Sequence, residues 1–161
     1  MEKIIAELLK FSTEILYLGK PIIDIRVEDF EKKYNLELPN DFKFFIKKFN
    51  GLTMNGTEIF CFDSKNRNSF EGIYHFEHFE VVQPQFNYLV PFSPDGGGNF
   101  YCFDTNKRNK KGKCPVVFWQ SLYKYSETDL PEIDSSDFGK WLKKVIIDWT
   151  LEDYNYDGSE K

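Results

Sequence analysis

The hydrophobic residues of this sequence follow a helical spacing before residue 51, a strand-like spacing between residues 57 and 119, and a helical spacing again near the end. This order constrains the fold strongly, because helices and strands bury their apolar side chains with different periods, about 3.6 and 2 residues. Helices, then sequential strands, then a helix are typical of an α+β domain and not of alternating β-α-β units. We therefore expect a central, mainly antiparallel sheet flanked by N-terminal helices and a C-terminal helix.

Four helices are predicted, and the clearest lies between Pro39-Asn40 and Asn50-Gly51, which are typical of a helix start and a helix end. Its apolar face consists of four residues at helical spacing, Phe42, Phe45, Ile46 and Phe49. Apolar residues at the same period predict further helices over residues 4–16, 27–34 and 138–149.

Alternating aromatic and β-branched residues predict five strands, over residues 57–62, 72–80, 88–92, 100–104 and 116–119. The segments between them are short and rich in turn residues, which favours antiparallel pairing. The turn at 95–99 contains three glycines, but no Gly-Lys-Ser/Thr follows. A tight turn is therefore favoured there over a phosphate-binding loop.

The length of 161 residues matches a single hydrophobic core, so one domain is predicted. Residues 1–150 carry the predicted elements, and residues 151–161 form a polar tail that we expect to fray. The 17 Phe, 9 Tyr and 3 Trp residues predict a core filled by large rings, with some rings left for the surface.

The cysteines Cys61, Cys102 and Cys114 are odd in number and form no Cys-x-x-Cys pair, which argues against a disulfide framework and a zinc site. Glutamates interrupt the first twenty residues, which is untypical of a signal peptide. No run reaches the roughly 18 apolar residues of a membrane helix. We expect reduced thiols, a cytoplasmic location and no membrane contact.

Residue patterns that support catalysis are absent from the sequence. His75 and His78 are the two histidines, and on the predicted strand they would point to opposite faces, so a shared metal ion is not expected. Neither a Gly-x-Ser-x-Gly elbow nor a His-Glu-x-x-His motif occurs. We expect no catalytic residues, no cofactor and no metal, with a catalytic group assembled only in space as the open alternative.

The net charge of −5 and the sequence pI of about 5.1 disfavour direct binding of nucleic acid by bulk electrostatics. One segment departs from this balance, since residues 107–113 contain five cations in seven positions. A solvated hairpin loop is the favoured interpretation, and a patch for an acidic partner or for nucleic acid is the alternative.

Acidic residues concentrate near the end of the chain, where ten acids face four lysines from residue 127 onward. The densest cluster contains five acids without an intervening cation: Glu127, Asp129, Glu132, Asp134 and Asp137. Such a cluster either attracts a cationic partner or forms a solvated loop whose last acids favour the N-terminus of the final helix. Both interpretations remain open from the sequence.

The run Leu38-Pro39-Asn40-Asp41-Phe42, followed by Asn50-Gly51, resembles the signature of the SUKH superfamily, the Smi/Knr-like proteins. Further matches follow in the same order. They are the apolar strand Leu89-Val90-Pro91-Phe92, the turn 95–99 with the strand 100–104, the strand Val116-Val117-Phe118-Trp119, and a helix entered through Ser136-Asp137-Phe138. The resemblance covers about residues 27–147.

This resemblance implies a non-catalytic binding protein whose signature residues are structural. Bacterial members typically bind and neutralise a toxin domain, often a nuclease, which predicts an intracellular immunity protein with a cationic toxin domain as its partner. The alternative is an adaptor in a signalling or cell-wall pathway, and an enzyme of unfamiliar type is a third reading. The candidate partner-binding residues are Tyr123, Tyr125, Glu127, Asp129, Glu132, Asp134 and Asp137, with Asp63 and Glu71 as weaker candidates.

Overall fold

Helices pack around two antiparallel sheets in the computed structural model, which describes residues 1–62 and 66–161. The helices are α1 (Glu2–Leu8), α2 (Asp24–Tyr34), α3 (Asn40–Phe49), α4 (Phe70–Phe79), α5 (Phe138–Trp141) and α6 (Trp149–Asp153). A π-helical segment, Leu142–Asp148, joins α5 to α6, so residues 138–153 form one continuous C-terminal helix. The strands are β1 (Leu16–Leu18), β2 (Leu52–Met54), β3 (Thr57–Ile59), β4 (Leu89–Pro94), β5 (Phe100–Asp104), β6 (Val116–Trp119) and β7 (Glu132–Ser135).

The α+β class with antiparallel pairing is confirmed, and the strands divide into two sheets. One sheet has the order β1-β2-β3 and the other the order β4-β5-β6-β7. The Phe60 N–H donates to the Phe92 carbonyl over 3.0 Å and connects the two sheets. The β2–β3 hairpin turns through Asn55 and Gly56, both with positive φ, as the shortest hairpin turns require.

The prediction of a strand at 72–80 is wrong, because this segment lies in helix α4. The Ser69 side chain accepts a hydrogen bond from the Gly72 N–H over 3.2 Å and caps the helix. The buried residues Phe70, Tyr74 and Glu77 recur at helical spacing. The other face carries exposed aromatic rings. Aromatic residues favour strands, so rings on both faces obscure the helical spacing and lead to the prediction of a strand.

The N-terminal helix is shorter than predicted, because α1 ends at Leu8 and the segment around Leu16 forms a strand. In β1, Leu16 pairs with Met54 and Leu18 pairs with Leu52. Strands β2 and β7 were also not predicted. Strands of three or four residues are too short to show a clear period of two. Pairing with neighbouring strands, and not the local sequence, therefore determines that these segments are strands.

Stacked and edge-on aromatic rings fill the core between α3, the C-terminal helix and the sheet formed by β4 and β5. Phe92 stacks on Phe103 with centroids 4.1 Å apart and meets Trp141 edge-on at 4.7 Å. Phe42 of α3 lies 4.9 Å from Phe103 and 5.3 Å from Phe138. Ring pairs of this kind add about 0.5–1.5 kcal/mol each beyond the burial of their area.

Residues 151–161, which the sequence predicts to fray, lie against the segment that follows α1. The Ser12 N–H donates to the Tyr156 carbonyl over 2.7 Å, and the ring centroids of Phe11 and Tyr156 are 4.7 Å apart. A bridge between Tyr154 and Glu160 closes the end of the chain. The Tyr156 ring gives this segment an apolar contact with the N-terminal region.

No helix in the described ranges is long and apolar enough to cross a membrane.

Candidate functional site

The five clustered acids separate into two groups with different roles. Asp134 lies 2.8 Å from the Lys144 ammonium, and Asp137 lies 3.2 Å from the Lys113 ammonium. Asp137 also caps α5, since its Oδ1 accepts from the Lys140 N–H over 3.2 Å. Burial opposes ionisation of Asp137, but the hydrogen bonds and Lys113 outweigh it, so the pKa of this carboxyl lies below its ordinary value. These two acids stabilise the fold. Lys113 lies on a different segment from Asp137, whereas Lys144 follows Asp134 by ten residues.

The remaining three acids, Glu127, Asp129 and Glu132, are exposed. Neither Glu127 nor Glu132 has an ion-pair partner among the residues that the structure describes. Only Lys124 offsets them between residues 120 and 132. This side of the domain therefore carries excess negative charge facing solvent, unlike the neutralised acids at the start of the C-terminal helix.

The two tyrosines and two of the exposed acids line one concavity of about 200 Å³, which we call the tyrosine hollow. Its walls include Phe118, Tyr123, Tyr125, Asp129, Leu130 and Glu132. Tyr123 and Leu130 are 45% and 41% exposed. The hollow thus has solvent-facing aromatic rings, which are typical of protein-binding surfaces, and carboxylates that give it negative charge.

Contacts within the loop hold the rings of the tyrosine hollow in place. Tyr125 packs on Trp119 with centroids 4.5 Å apart, and its hydroxyl accepts from the Gln120 N–H over 3.2 Å. The Tyr123 ring lies 4.7 Å from Tyr125, and its hydroxyl donates to the Asp129 carboxylate. This hydrogen bond raises the pKa of the Tyr123 hydroxyl above its ordinary value. A surface ordered before binding loses less conformational entropy when a partner arrives.

The glycine turn at 95–99 anchors the same loop. The Asp95 carboxylate accepts from the N–H groups of Gly97 and Asn99 over 2.7 and 2.9 Å, and Asn99 accepts in turn from the Ser121 N–H over 3.1 Å. Burial opposes ionisation of Asp95, but the hydrogen bonds from Asn99 and Gly97 outweigh it and hold its pKa below the ordinary value. An acidic side chain occupies the centre of this turn, which fits a structural role and not phosphate binding.

Strand β7 borders the hollow, and three features discourage another strand from pairing with its free edge. Pro131 precedes the strand, and Glu132 places a charge at its start. The register shifts between Val116 and Val117, so Asp134 is an extra residue in a bulge. Proline, charge and bulges are the devices that protect edge strands from further pairing. A partner at this edge therefore meets side chains, including Ile133, which is 58% exposed.

Part of the basic segment 107–113 is fastened to the signature residues. Arg108 lies 3.0 Å from the Asn40 Oδ1, and the Asn40 N–H donates to the Gly112 carbonyl over 2.8 Å. Lys113 lies 3.5 Å from Asp41. The structure thus pairs Arg108 and Lys113 with groups on α3 and at the start of α5. Lys107 pairs with Asp104, and Lys110 and Lys111 are exposed, as the favoured interpretation of a solvated loop expects.

The two weaker candidates do not join the tyrosine hollow. Glu71, in the first turn of α4, lies 2.6 Å from the Lys33 ammonium of α2, so a cation within the protein neutralises it. Asp63 lies outside the described residues. Among the described parts of the chain, no contact connects Glu71 with the segment 120–132.

The histidines His75 and His78 lie on helix α4 and not on the expected strand, and they contact different groups. His78 stacks on Tyr74 at 4.0 Å, with its ring nitrogens 2.8 Å from the Tyr74 carbonyl and 3.3 Å from the Phe86 carbonyl. His75 is exposed and 3.8 Å from Glu80. Within residues 1–62 and 66–161, no group of three or more His, Cys, Asp or Glu residues is placed to hold a metal ion.

A second concavity, which we call the apolar groove, adjoins the same loop and was not predicted. It measures about 550 Å³ and lies between α4 with its following turn and residues 98–100 and 121–122. Val82 and Leu122 are 98% and 99% exposed at its margin. The signal available in the sequence was Leu122, an apolar residue in a polar loop beside Tyr123. Its partner wall on α4 was hidden by the wrong strand assignment.

The model of the SUKH_5 family, described as SMI1-KNR4 cell-wall, matches residues 1–147. The match extends beyond the residues that carry the resemblance, since it also includes α1 and β1. It includes the residues of the tyrosine hollow and the apolar groove as well. Because the match spans most of the chain, this protein belongs to the SUKH_5 family of SMI1-KNR4 cell-wall proteins.

Proposed function

We propose that this protein is an immunity protein that binds a cationic toxin domain through the tyrosine hollow and blocks it without catalysis. One observation carries the proposal: exposed acids without internal cations lie beside tyrosines that the loop already holds in position. Proteins of this family generally act by binding, which agrees with a surface of this kind. A cytoplasmic location follows from the proposal, because a toxin is neutralised where it would act.

Electrostatic attraction gives such a surface a kinetic advantage. Nuclease domains hold phosphate groups and carry cationic clefts, so an acidic surface accelerates their encounter with an inhibitor. Tyr123 and Tyr125 then supply buried contact area at the centre of the interface, where aromatic residues contribute most to affinity. Asp134 and Asp137 are not part of this surface, because Lys144 and Lys113 already neutralise them.

The first test measures the rate at which the protein associates with a candidate toxin domain. This is the purified C-terminal domain of the protein that the adjacent upstream gene encodes. Replacing Glu127 and Glu132 with Lys should slow association about tenfold at low salt and flatten its salt dependence. These residues are exposed and unpaired in the described structure, so the fold should be retained. Stopped-flow measurements at low and physiological salt give both quantities.

The matched control replaces Glu28 and Asp29 of α2 with Lys, which changes the net charge equally at two other exposed positions. This variant should associate at nearly the wild-type rate. Equal slowing by both double variants would assign the effect to net charge and overturn the role of the tyrosine hollow.

The second candidate function is a non-catalytic adaptor, which the cell-wall description of the family favours. Absence of binding to the toxin domain at about micromolar concentration would remove the immunity proposal for that partner. Capture of a cell-wall or signalling protein that depends on Glu127 and Glu132 would then support the adaptor.

A further inference from the structure

The apolar groove differs from an ordinary exposed hydrophobic patch because a buried carboxyl lies at its floor. Its walls include Phe76, Val82, Phe100 and Leu122, and its floor includes Glu77 of α4. Glu77 is only 6% exposed, although it faces a concavity open to solvent. Buried carboxylates are costly unless a cation or several hydrogen bonds satisfy them.

The protein itself satisfies Glu77 weakly. The Gln85 Nε2 approaches the Glu77 Oε2 at 3.5 Å, the outer limit of a hydrogen bond. In the parts of the chain that the structure describes, no donor lies within hydrogen-bond distance of the other oxygen, and no cation pairs with the carboxyl. Burial therefore raises the pKa of Glu77.

Gln85 is held in place and cannot move closer at little cost. Its side chain is 4% exposed, its N–H donates to the Glu77 carbonyl over 3.0 Å, and its Oε1 lies 3.6 Å from the Cys102 sulfur. The other oxygen of Glu77 is not among the buried side-chain atoms without a partner, so it is open to solvent. A donor in the groove therefore replaces water at this oxygen.

The chemistry of the groove selects one kind of occupant. An arginine side chain combines an aliphatic stem, which suits apolar walls, with a planar cation that stacks on aromatic rings and binds carboxylates through two N–H groups. Phe76 is 41% exposed and Phe100 lies beside it in the wall. We infer that the apolar groove receives an arginine side chain of the partner protein, with its guanidinium group on Glu77.

The groove and the tyrosine hollow are neighbours on one loop, and this inference rests on the proposed function for the identity of the partner. Ser121 and Leu122 line the groove, and Tyr123 lines the hollow. The Ser121 hydroxyl donates to the Gly98 carbonyl over 2.7 Å and fixes the loop between the residues that line the groove and those that line the hollow. A partner that contacts Tyr123 therefore contacts the residue next to Leu122 in the wall of the groove.

A test without any partner protein uses N-acetylarginine amide as the probe and methyl NMR shifts of Val82 and Leu122 as the readout. The neutral isostere N-acetylcitrulline amide is the matched control at constant ionic strength. We expect saturable shifts with the arginine probe. The affinity should be at least about tenfold weaker for the citrulline probe, and for the arginine probe with Glu77→Gln. Equal shifts with both probes, or no shift with up to about 100 mM arginine probe, would overturn the inference.

A second variant, Leu122→Ser, tests the inference even if Glu77→Gln does not fold correctly. Leu122 is 99% exposed, so Leu122→Ser should leave the thermal midpoint unchanged while removing part of the wall around the arginine stem. Binding of the arginine probe should weaken in this variant as well. Undiminished binding in a folded Leu122→Ser protein would show that the probe lies elsewhere.

Binding measurements with the toxin domain distinguish a failure of this inference from a failure of the proposed function. If the arginine probe binds the groove but the toxin domain does not bind, the proposed function fails and the groove assignment stands. If toxin binding depends on Glu127 and Glu132 but is unchanged in Glu77→Gln, the proposed function stands and the groove assignment fails.

Discussion

Asp41 shows how one side chain of the family signature acts in this protein. Its carboxyl is 5% exposed and accepts from the Gly139 N–H over 3.3 Å, while Lys113 lies 3.5 Å away. Burial raises the pKa of Asp41, and the Lys113 charge and the Gly139 hydrogen bond oppose that rise. One acid thereby joins α3, the basic segment and the start of the C-terminal helix. The signature residue stabilises the fold, and the proposed recognition surface lies elsewhere, in the loop at 120–132.

His78 provides a prediction about stability and pH at the same scale. Burial lowers the pKa of His78 below 6.5, and the hydrogen bonds to backbone carbonyls only partly oppose it. The unfolded chain therefore takes up a proton first as the pH falls. The stability that the neutral ring contributes should be complete above about pH 6.5 and should be lost as the pH falls through the lower pKa of the folded state.

Urea unfolding at several pH values in this range measures the slope of the free energy of unfolding against pH. The slope should disappear in His78→Gln and persist in His75→Gln, which removes the exposed histidine of the same helix. A slope retained in His78→Gln would mean that another group causes it.

At the scale of elements, the glycine turn and the loop at 120–132 form one unit. Replacing Asp95 with Ala removes the acceptor for Gly97 and Asn99, and Asn99 then loses its support for Ser121. We expect a loss of about 1 kcal/mol in the free energy of unfolding, since these hydrogen bonds are exposed. Hydrogen exchange at the amides of residues 120–130 should increase by a larger factor than exchange elsewhere.

Asp95→Asn is the comparison for this variant. Its Oδ1 still accepts from the backbone of Gly97 and Asn99, but an NH2 group replaces the second oxygen, which accepts from the Asn99 side-chain amide over 2.7 Å. Its exchange rates in the loop should therefore lie between those of the wild type and those of Asp95→Ala. If Asp95→Ala leaves the loop amides unchanged, the turn does not order the loop at 120–132.

Helices α3 and α4 show what local sequence can predict about an element. In α3, the start signal, the apolar spacing and the Asn50-Gly51 end all agree, and the structure confirms a helix from Asn40 to Phe49. In α4, aromatic residues favour a strand, but Ser69 and packing of the buried face produce a helix. Propensity decides an element only where tertiary contacts do not compete with it.

At the scale of the whole molecule, the segment around Tyr156 packs against α1 and the residues that follow it. Replacing Tyr156 with Ala removes the ring contact with Phe11 and the 3.3 Å hydrogen bond to Glu7. Because Tyr156 is only partly buried, we expect a loss of about 1–2 kcal/mol in the free energy of unfolding. This corresponds to a decrease of about 2–8 °C in Tm, measurable by calorimetry.

Tyr17→Ala is the control, since Tyr17 is 72% exposed and its loss should cost less than about 0.5 kcal/mol. Equal effects of the two substitutions would show that the tail does not stabilise the fold. In that case the expectation of a frayed end would be the better description.

Local patterns in the sequence determine the α+β class, helix α3 and the strands β5 and β6, because each carries a strong period between clear turn signals. The acidic surface was only partly predictable. Which acids face solvent depends on Lys113 and Lys144, and no rule of spacing places those cations beside Asp137 and Asp134. The apolar groove with its buried carboxyl exists only in the tertiary structure, because its walls come from segments that lie far apart in the chain.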